Sequence, residues 1–323
     1  MRQWIAKHPS ACRALGFLLI LTLLLEGLSW MADSMGRDRN PMLNYSTTSF
    51  FDEPKDTIDV LTIGTSDVYS AVAPMQWWGQ YGYTGYTWGE ASQRIFETYR
   101  YLKKIYRVQS PKVVFLEIGD LYRDNTRPQV LDSIVKTQIA RVFPVIIDHR
   151  NLVPRKLVNL GSPKHSVTKG FLFRATVSPA SRLTSSIPAG NGKTAPVDSL
   201  CSAELKRCIT LCEKHGTQVV LLSVPDRSAW STPRHDAVEA LAEQDGVPYL
   251  DLNVTLKDVL NWDTDCADSG SHMNFRGAEK VSAAMGEYLT AHYSLTDHRQ
   301  DAAYAGWNQD WAVFSKKLRS LEK

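Results

Sequence analysis

The chain reads as an α/β protein: a parallel sheet covered by helices on both faces, with one apolar helix ahead of it. Three observations predict this. Largely apolar runs of six to eight residues recur at 57–63, 112–118, 217–224 and 247–252, the pattern of strands buried on both faces. Helix-length stretches stand between them, as the crossovers of parallel strands require. A greasy stretch at 15–25 follows Arg2, Lys7 and Arg13 near the N-terminus.

Residues 14–32 form the membrane candidate. Nineteen residues of helix span about 28 Å, near the thickness of a bilayer's hydrocarbon. The basic residues before it predict a cytoplasmic N-terminus and an exported body. Glu26 leaves two readings open. It lies near the outer interface of an uncleaved anchor, which Leu28, Trp30 and Met31 favour, or it ends a signal-peptide core with Ala32-Asp33-Ser34 as the cleavage site. Both put the body outside the cytoplasm, at the cell membrane for the anchor.

The domain map is then a cytoplasmic tip and anchor at 1–32, a polar connector with Pro41 and Pro54 at 33–56, one α/β domain at 57–295, and an amphipathic tail helix at 296–323. Within the domain, 57–63 is the first strand and 85–88 a short second. A helix over 91–108 carries Ile95, Tyr99, Leu102 and Ile105 or Tyr106 on one face. Pro111 introduces the third strand, 112–118. A helix over 199–215 closes at Gly216, ahead of the fourth strand, 217–224. A helix over 235–244 ends near Gly246, before the fifth strand at 247–252. Residues 277–292 form the closing helix.

Residues 120–198 break this rhythm. They combine a helix at 130–142 with loop-like stretches, which predicts an insertion that shapes the substrate site, offers a partner surface, or only elaborates the structure. In the tail, Trp307, Trp311, Phe314, Leu318 and Leu321 make one helical stripe. It either docks on the body or, beside Lys316, Lys317, Arg319 and Lys323, touches the membrane surface.

Composition narrows the function. The chain is 43% hydrophobic and 22% charged, ordinary for a globular protein. Its net charge of +3 is scattered, without the basic stripe of a nucleic-acid binder. Of five cysteines, Cys12 falls on the cytoplasmic side. Cys201, Cys208, Cys212 and Cys266 share the oxidising side, where they either pair or, as for Cys208 and Cys212, serve as small core residues. Their spacing suits neither zinc nor a redox pair, and no cofactor or metal is expected.

Two segments carry the chemistry. Ile63-Gly64-Thr65-Ser66-Asp67 ends the first strand and exposes Ser66 at its carboxyl end, where parallel α/β folds bind ligands. A serine hydroxyl needs a base within hydrogen-bonding reach to become a nucleophile. Asp268-Ser269-Gly270-Ser271-His272-Met273-Asn274 supplies His272 just before the closing helix. Asp268 is the candidate acid to orient it, with Asp265 and Asp263 as fallbacks. Gly89, between the second strand and the next helix, can bring a backbone N–H to the site. Together with the N–H of Ser66 it makes a candidate oxyanion hole. Each residue alone also fits a plain cap, loop or turn.

Together, Ile63-Gly64-Thr65-Ser66, Gly89 and the Asp-x-Gly-x-His-x-Asn run at 268–274 resemble the SGNH/GDSL hydrolase superfamily. More narrowly they resemble its membrane-anchored branch, related to polysaccharide O-acetyltransferases and the lipoteichoic-acid D-alanylation protein. The likeness extends over about residues 57–292, including Tyr86-Thr87-Trp88-Gly89, Ser92-Gln93, His149-Arg150 and Asn274-x-x-Gly277-Ala278-Glu279-Lys280. It implies a flavodoxin-like three-layer α/β/α sandwich and a triad of Ser66, His272 and Asp268. It also suggests substrate contacts for Gln93, His149 and Arg150, an Arg being suited to phosphate or carboxylate, with a structural ion pair as the other reading of His149-Arg150.

Two departures stand out. Ile118-Gly119-Asp120-Leu121 lacks the oxyanion Asn expected after the third strand, a gap that Gln93 or another donor fills or that leaves a weaker oxyanion hole. The acid lies four rather than three residues before the His. The expected function is an extracytoplasmic serine esterase or O-acyltransferase acting on acetyl-like esters of cell-surface glycans or polymers. A multi-pass membrane O-acyltransferase is its expected partner in the transfer case. The alternative is a non-catalytic glycan-binding or assembly factor on a degenerate fold of this type.

Overall fold

The computed structural model describes residues 8–122, 126–180 and 195–321. Arg2, Lys7, Lys323 and the 181–194 stretch of the insertion lie outside the described residues. Five strands make one sheet: β1 (Val60–Gly64), β2 (Gly85–Gly89), β3 (Val113–Glu117), β4 (Gln218–Ser223) and β5 (Tyr249–Asp251). All neighbours are parallel, in the order β2-β1-β3-β4-β5. That is the flavodoxin-like doubly wound order. The chain runs outward from β1 to β2, then crosses back to β3, and ligands sit where the direction reverses. The carboxyl ends of β1 and β3, at Gly64 and Glu117, flank that crevice.

In chain order the helices are α1 (Pro9–Gly36), α2 (Ser66–Ala71), α3 (Pro74–Tyr81), α4 (Ile95–Ile105), α5 (Arg127–Ile139), α6 (Val145–Asp148), α7 (Ser199–Lys214), α8 (Thr232–Asp245), α9 (Leu252–Thr255), α10 (Phe275–His292) and α11 (Ala305–Arg319). Alternation along the strands builds two cores. Leu61, Ile63, Val114, Leu116, Val219 and Leu221 pack against α4 and α7. Val60, Val113, Phe115, Val220 and Leu222 face the other way, onto α2 and α10. The three-layer α/β/α sandwich follows from that alternation.

The predicted helix at 91–108 is shorter, because Ser92 takes a left-handed φ of 59° before Arg94 caps α4 at Ile95. The helix predicted at 235–244 starts earlier, at Thr232, with Pro233 in its first turn. Cys201, Cys208, Cys212 and Cys266 are all buried. Three of them line the α4–α7 core, so the core reading holds over the disulfide.

Of the two roles for the tail stripe, docking is the one realised. Trp307, Phe314 and Leu318 of α11 are buried. The Trp307 ring lies 5.4 Å from Trp78 of α3. Lys169, 2% exposed, pairs with Glu53 at 2.6 Å and Asp310 at 2.8 Å and stands over the Trp307 ring. The Lys169 carbonyl accepts the Thr87 N–H at 2.9 Å, so this segment covers the outer edge of β2, which would otherwise offer unpaired backbone groups.

Helix α1 is long and apolar enough to cross a membrane. From Leu15 to Leu28 its large apolar side chains stand exposed. The body begins at its last turns, where Ser29, Ala32, Ser34 and Met35 are buried. Ser29 Oγ accepts the Val145 N–H at 3.1 Å, and Ser34 Oγ accepts the Gly161 N–H at 2.7 Å. The insertion therefore grips the foot of α1.

Candidate active site

Ser66 opens α2 directly beyond β1. Thr65 is extended and caps the helix by accepting the Asp67 N–H on its hydroxyl at 3.3 Å. The turn passes so close to β3 that a Cβ on Gly64 would stand 2.5 Å from Glu117 Cβ. Glycine is obligatory there for space rather than for backbone angle. Ser66 itself is 7% exposed at the crevice.

His272 sits in a small hairpin closed by the Cys266–Met273 bridge and by the Ala267 N–H on the His272 carbonyl at 2.8 Å. Asn274 fixes its base. Its side-chain oxygen accepts the Arg276 and Gly277 N–H groups of α10, and its amide donates to the Thr264 carbonyl at 2.7 Å. Gly277 has no room for a side chain, since a Cβ would lie 2.4 Å from the Asp265 carbonyl.

These elements bring together three residues the sequence singles out. His272 Nε2 lies 2.9 Å from Ser66 Oγ. His272 Nδ1 makes a short contact with Asp268 Oδ2, and the His272 N–H donates to Asp268 Oδ1 at 2.7 Å. The extra residue between acid and base is taken up by the backbone. Ser269 has φ 64° and Gly270 φ 129°, so the loop folds back and returns Asp268 to the ring. The fallback acids face elsewhere: Asp265 is held by Lys280 and the Asn261 N–H, and Asp263 is exposed.

Two further carboxylates shape the site. Asp67 Oδ1 lies 3.5 Å from His272 Nε2. Glu117 is buried behind the Thr65-Ser66 turn. Its Oε2 accepts both the N–H and the hydroxyl of Thr65 at 3.0 Å each, and its Oε1 accepts the Gly119 N–H. Burial first, then the negative charge of Asp67, push the Glu117 carboxyl up to about 7. Both residues border a cavity of about 200 Å³ that also meets Tyr122, Ser223, Trp230 and Arg234.

Gly89 ends β2 opposite Gly64 and abuts the same turn. A Cβ there would lie 2.9 Å from the Thr65 carbonyl and from the Tyr69 ring. Gln93 departs from expectation as an oxyanion or substrate donor. It has no exposed surface, and its amide nitrogen donates to Thr98 Oγ1 at 2.8 Å, which donates in turn to Asp120 at 2.7 Å. Arg150 is tied to the loop after Gly89, donating to the Ala91 carbonyl and to Glu90 at 3.4 Å. His149 contacts the Ile146 carbonyl through Nδ1 at 3.1 Å. With Arg94 and Lys136 these two residues line a separate cavity of about 300 Å³.

No family model and no curated protein matches the sequence. Solved structures do. A GDSL-like lipase from Bacteroides thetaiotaomicron aligns over 77% of this chain and 98% of its own, at 12% identity and TM-score 0.40. A Bacillus subtilis protein aligns over 73% and 57%, at 13% identity and TM-score 0.37. A Streptococcus pneumoniae protein described as a platelet activating factor aligns over 84% and 99%, at 14% identity and TM-score 0.39. These are loose superpositions.

Asp67 and Glu117 are the site residues that sequence reading passes over. Asp67 adjoins the serine and was legible as a neighbour. Glu117 is the one charged residue of β3, VVFLE, and a lone acid in such an apolar run is the signal that points to it.

Proposed function

We propose that this chain is a serine-dependent acyl hydrolase or O-acyltransferase of the SGNH/GDSL type. The observation that carries the reading is the 2.9 Å approach of Ser66 Oγ to His272 Nε2, with Asp268 on the opposite ring nitrogen. Ser66 Oγ attacks an ester carbonyl while His272 Nε2 takes the serine proton. Asp268 holds the ring orientation and stabilises the imidazolium, and Asp67 adds negative charge near Nε2. His272 then returns the proton to the departing alcohol as the carbon–oxygen bond breaks. Water or a sugar hydroxyl, deprotonated by the same imidazole, releases the acyl group from Ser66.

The tetrahedral oxyanion is assigned to the N–H of Ser66, which as the first residue of α2 has no partner within the helix, and to that of Gly89. With the body outside the cytoplasm behind α1 as anchor, the substrates are acetyl-like esters of cell-surface glycans or acylated polymers. In the transfer case a multi-pass membrane O-acyltransferase delivers the acyl group. His149 and Arg150, beside the loop that follows Gly89, are assigned to an anionic or sugar portion of the substrate.

The experiment is labelling by a fluorophosphonate probe. Wild type labels, Ser66→Ala does not, and His272→Ala labels at least about 10²-fold more slowly. A folded wild-type protein that takes up no probe would overturn catalysis and leave the glycan-binding alternative.

A further inference from the structure

The insertion presents an apolar surface that the sheet and its helices do not use. On α5, Val130, Ser133 and Thr137 are turned inward, whereas Leu131, Val135 and Ile139, one turn apart, point outward. Val142 extends this stripe, and Leu157 and Val158 lie exposed in the short 3-10 helix Pro154–Asn159. These six side chains are 45–62% exposed, far from the sparse single apolar residues of an ordinary soluble surface.

Their position in the fold names what covers them. The same insertion grips the foot of α1 through the Ser29–Val145 and Ser34–Gly161 hydrogen bonds, and Asn151 lies against Gly36. The free part of α1, from Pro9 to Leu28, is about 30 Å long, one hydrocarbon thickness. A bilayer filled by that segment ends where the insertion begins. Six Arg and Lys residues stand against two Asp residues over 127–160, and Lys136, Arg141 and Arg155 are exposed beside the apolar side chains. An apolar face rimmed by cations is the make-up of an element lying in the interface of an anionic membrane.

We infer that the insertion is a second membrane contact: α5 with residues 142 and 157–158 lies in the lipid headgroup region beside α1. The site crevice is thereby held at a fixed height and tilt over the membrane. A single helix with a flexible foot would leave the domain free to swing. The acyl-carrying substrate is then met at the membrane surface rather than at a distance from it. This inference rests on α1 being a membrane anchor, so its test reads α1 separately.

The full-length protein is reconstituted in vesicles of phosphatidylcholine and phosphatidylglycerol. Single cysteines at Leu131→Cys, Val135→Cys or Val158→Cys carry an environment-sensitive fluorophore, with Leu19→Cys as the α1 probe and Glu243→Cys on α8 as the exposed control. The unsubstituted protein gives the background of its own thiols. Headgroup-proximal spin-labelled lipid is expected to quench the three insertion probes at least about threefold more than the Glu243 probe, as for side chains seated in the interface. Deep spin labels are expected to quench the Leu19 probe. Insertion probes quenched by aqueous iodide and untouched by spin-labelled lipid, while Leu19 is quenched, would overturn the second contact, and would leave a membrane protein as the cover of this face. A Leu19 probe untouched by lipid would overturn the anchor reading, and this inference with it.

Discussion

The Glu117 carboxylate accepts both the backbone N–H and the hydroxyl of Thr65, each at 3.0 Å, so the residue preceding Ser66 is fixed from the third strand. The same carboxylate also accepts the Gly119 N–H. One buried acid thus ties together the two strand ends that border the crevice. Glu117→Ala would leave those donors buried without acceptors, at about 1–3 kcal/mol each. The expected outcome is a strongly destabilised protein whose folded fraction acylates Ser66 more than about tenfold more slowly. Glu117→Gln, which keeps an oxygen for Thr65, should fall between. Denaturant unfolding and single-turnover acylation measure the two effects; acylation at wild-type rate in the folded alanine variant would remove Glu117 from the site.

The raised Glu117 carboxyl gives stability a pH dependence of known sign. Burial and Asp67 move it from 4.5 to about 7 in the folded protein. Between those values the folded state holds a proton that the unfolded chain releases. Its contribution to stability is therefore full below about 4.5, is lost as pH rises, and is flat above 7. Asp148, raised to about 7 by burial and by Glu90, acts in the same direction. Urea midpoints at pH 5 and pH 8 should lie closer together in Glu117→Gln than in wild type. An unchanged difference would contradict the assignment.

Asp268 and Asp265 should separate catalysis from folding. Asp268→Asn disturbs the partner of His272 Nδ1 on an exposed loop, so the acylation rate should drop by about 10²–10⁴-fold with little change in stability. Asp265→Asn weakens a buried carboxylate held by Lys280 and the Asn261 N–H. It should lower the melting temperature while the folded protein still labels. The reverse pattern would transfer the role of orienting acid to Asp265.

Lys169 is expected to be the most sensitive structural position outside the site. Lys169→Ala strands the buried Glu53 carboxylate and leaves Asp310 with His165 alone, and should cost about 3–5 kcal/mol. Combining Lys169→Met with Glu53→Gln and Asp310→Asn should restore much of the loss, since no charge is then left buried alone. Thermal unfolding of the two variants tests this, and equal stability of the two would refute it.

Much of the sheet was legible because parallel strands buried on both faces are largely apolar: 112–118 and 217–224 contain β3 and β4 whole. Helix α2 was visible only as a turn after Ser66, since six residues are too few to show a helical period. Gln93 illustrates the limit at the site. Its place in a motif suggested a donor to substrate, but only packing reveals that its amide is enclosed and bonded to Thr98.

By itself the sequence determined the succession of strands and helices, the apolar α1, and the two segments bearing Ser66 and His272, because hydrophobic period, glycine and capping residues act over a few neighbouring positions. Only the tertiary structure decided that Ser66 and His272 meet across 206 residues, that Asp268 rather than Asp265 turns to the imidazole, and that Glu117 braces Thr65. The reason is geometric. Which way a side chain points at the end of a strand or on a folded-back loop depends on backbone angles, such as those of Ser269 and Gly270, and on packing between segments far apart in the chain.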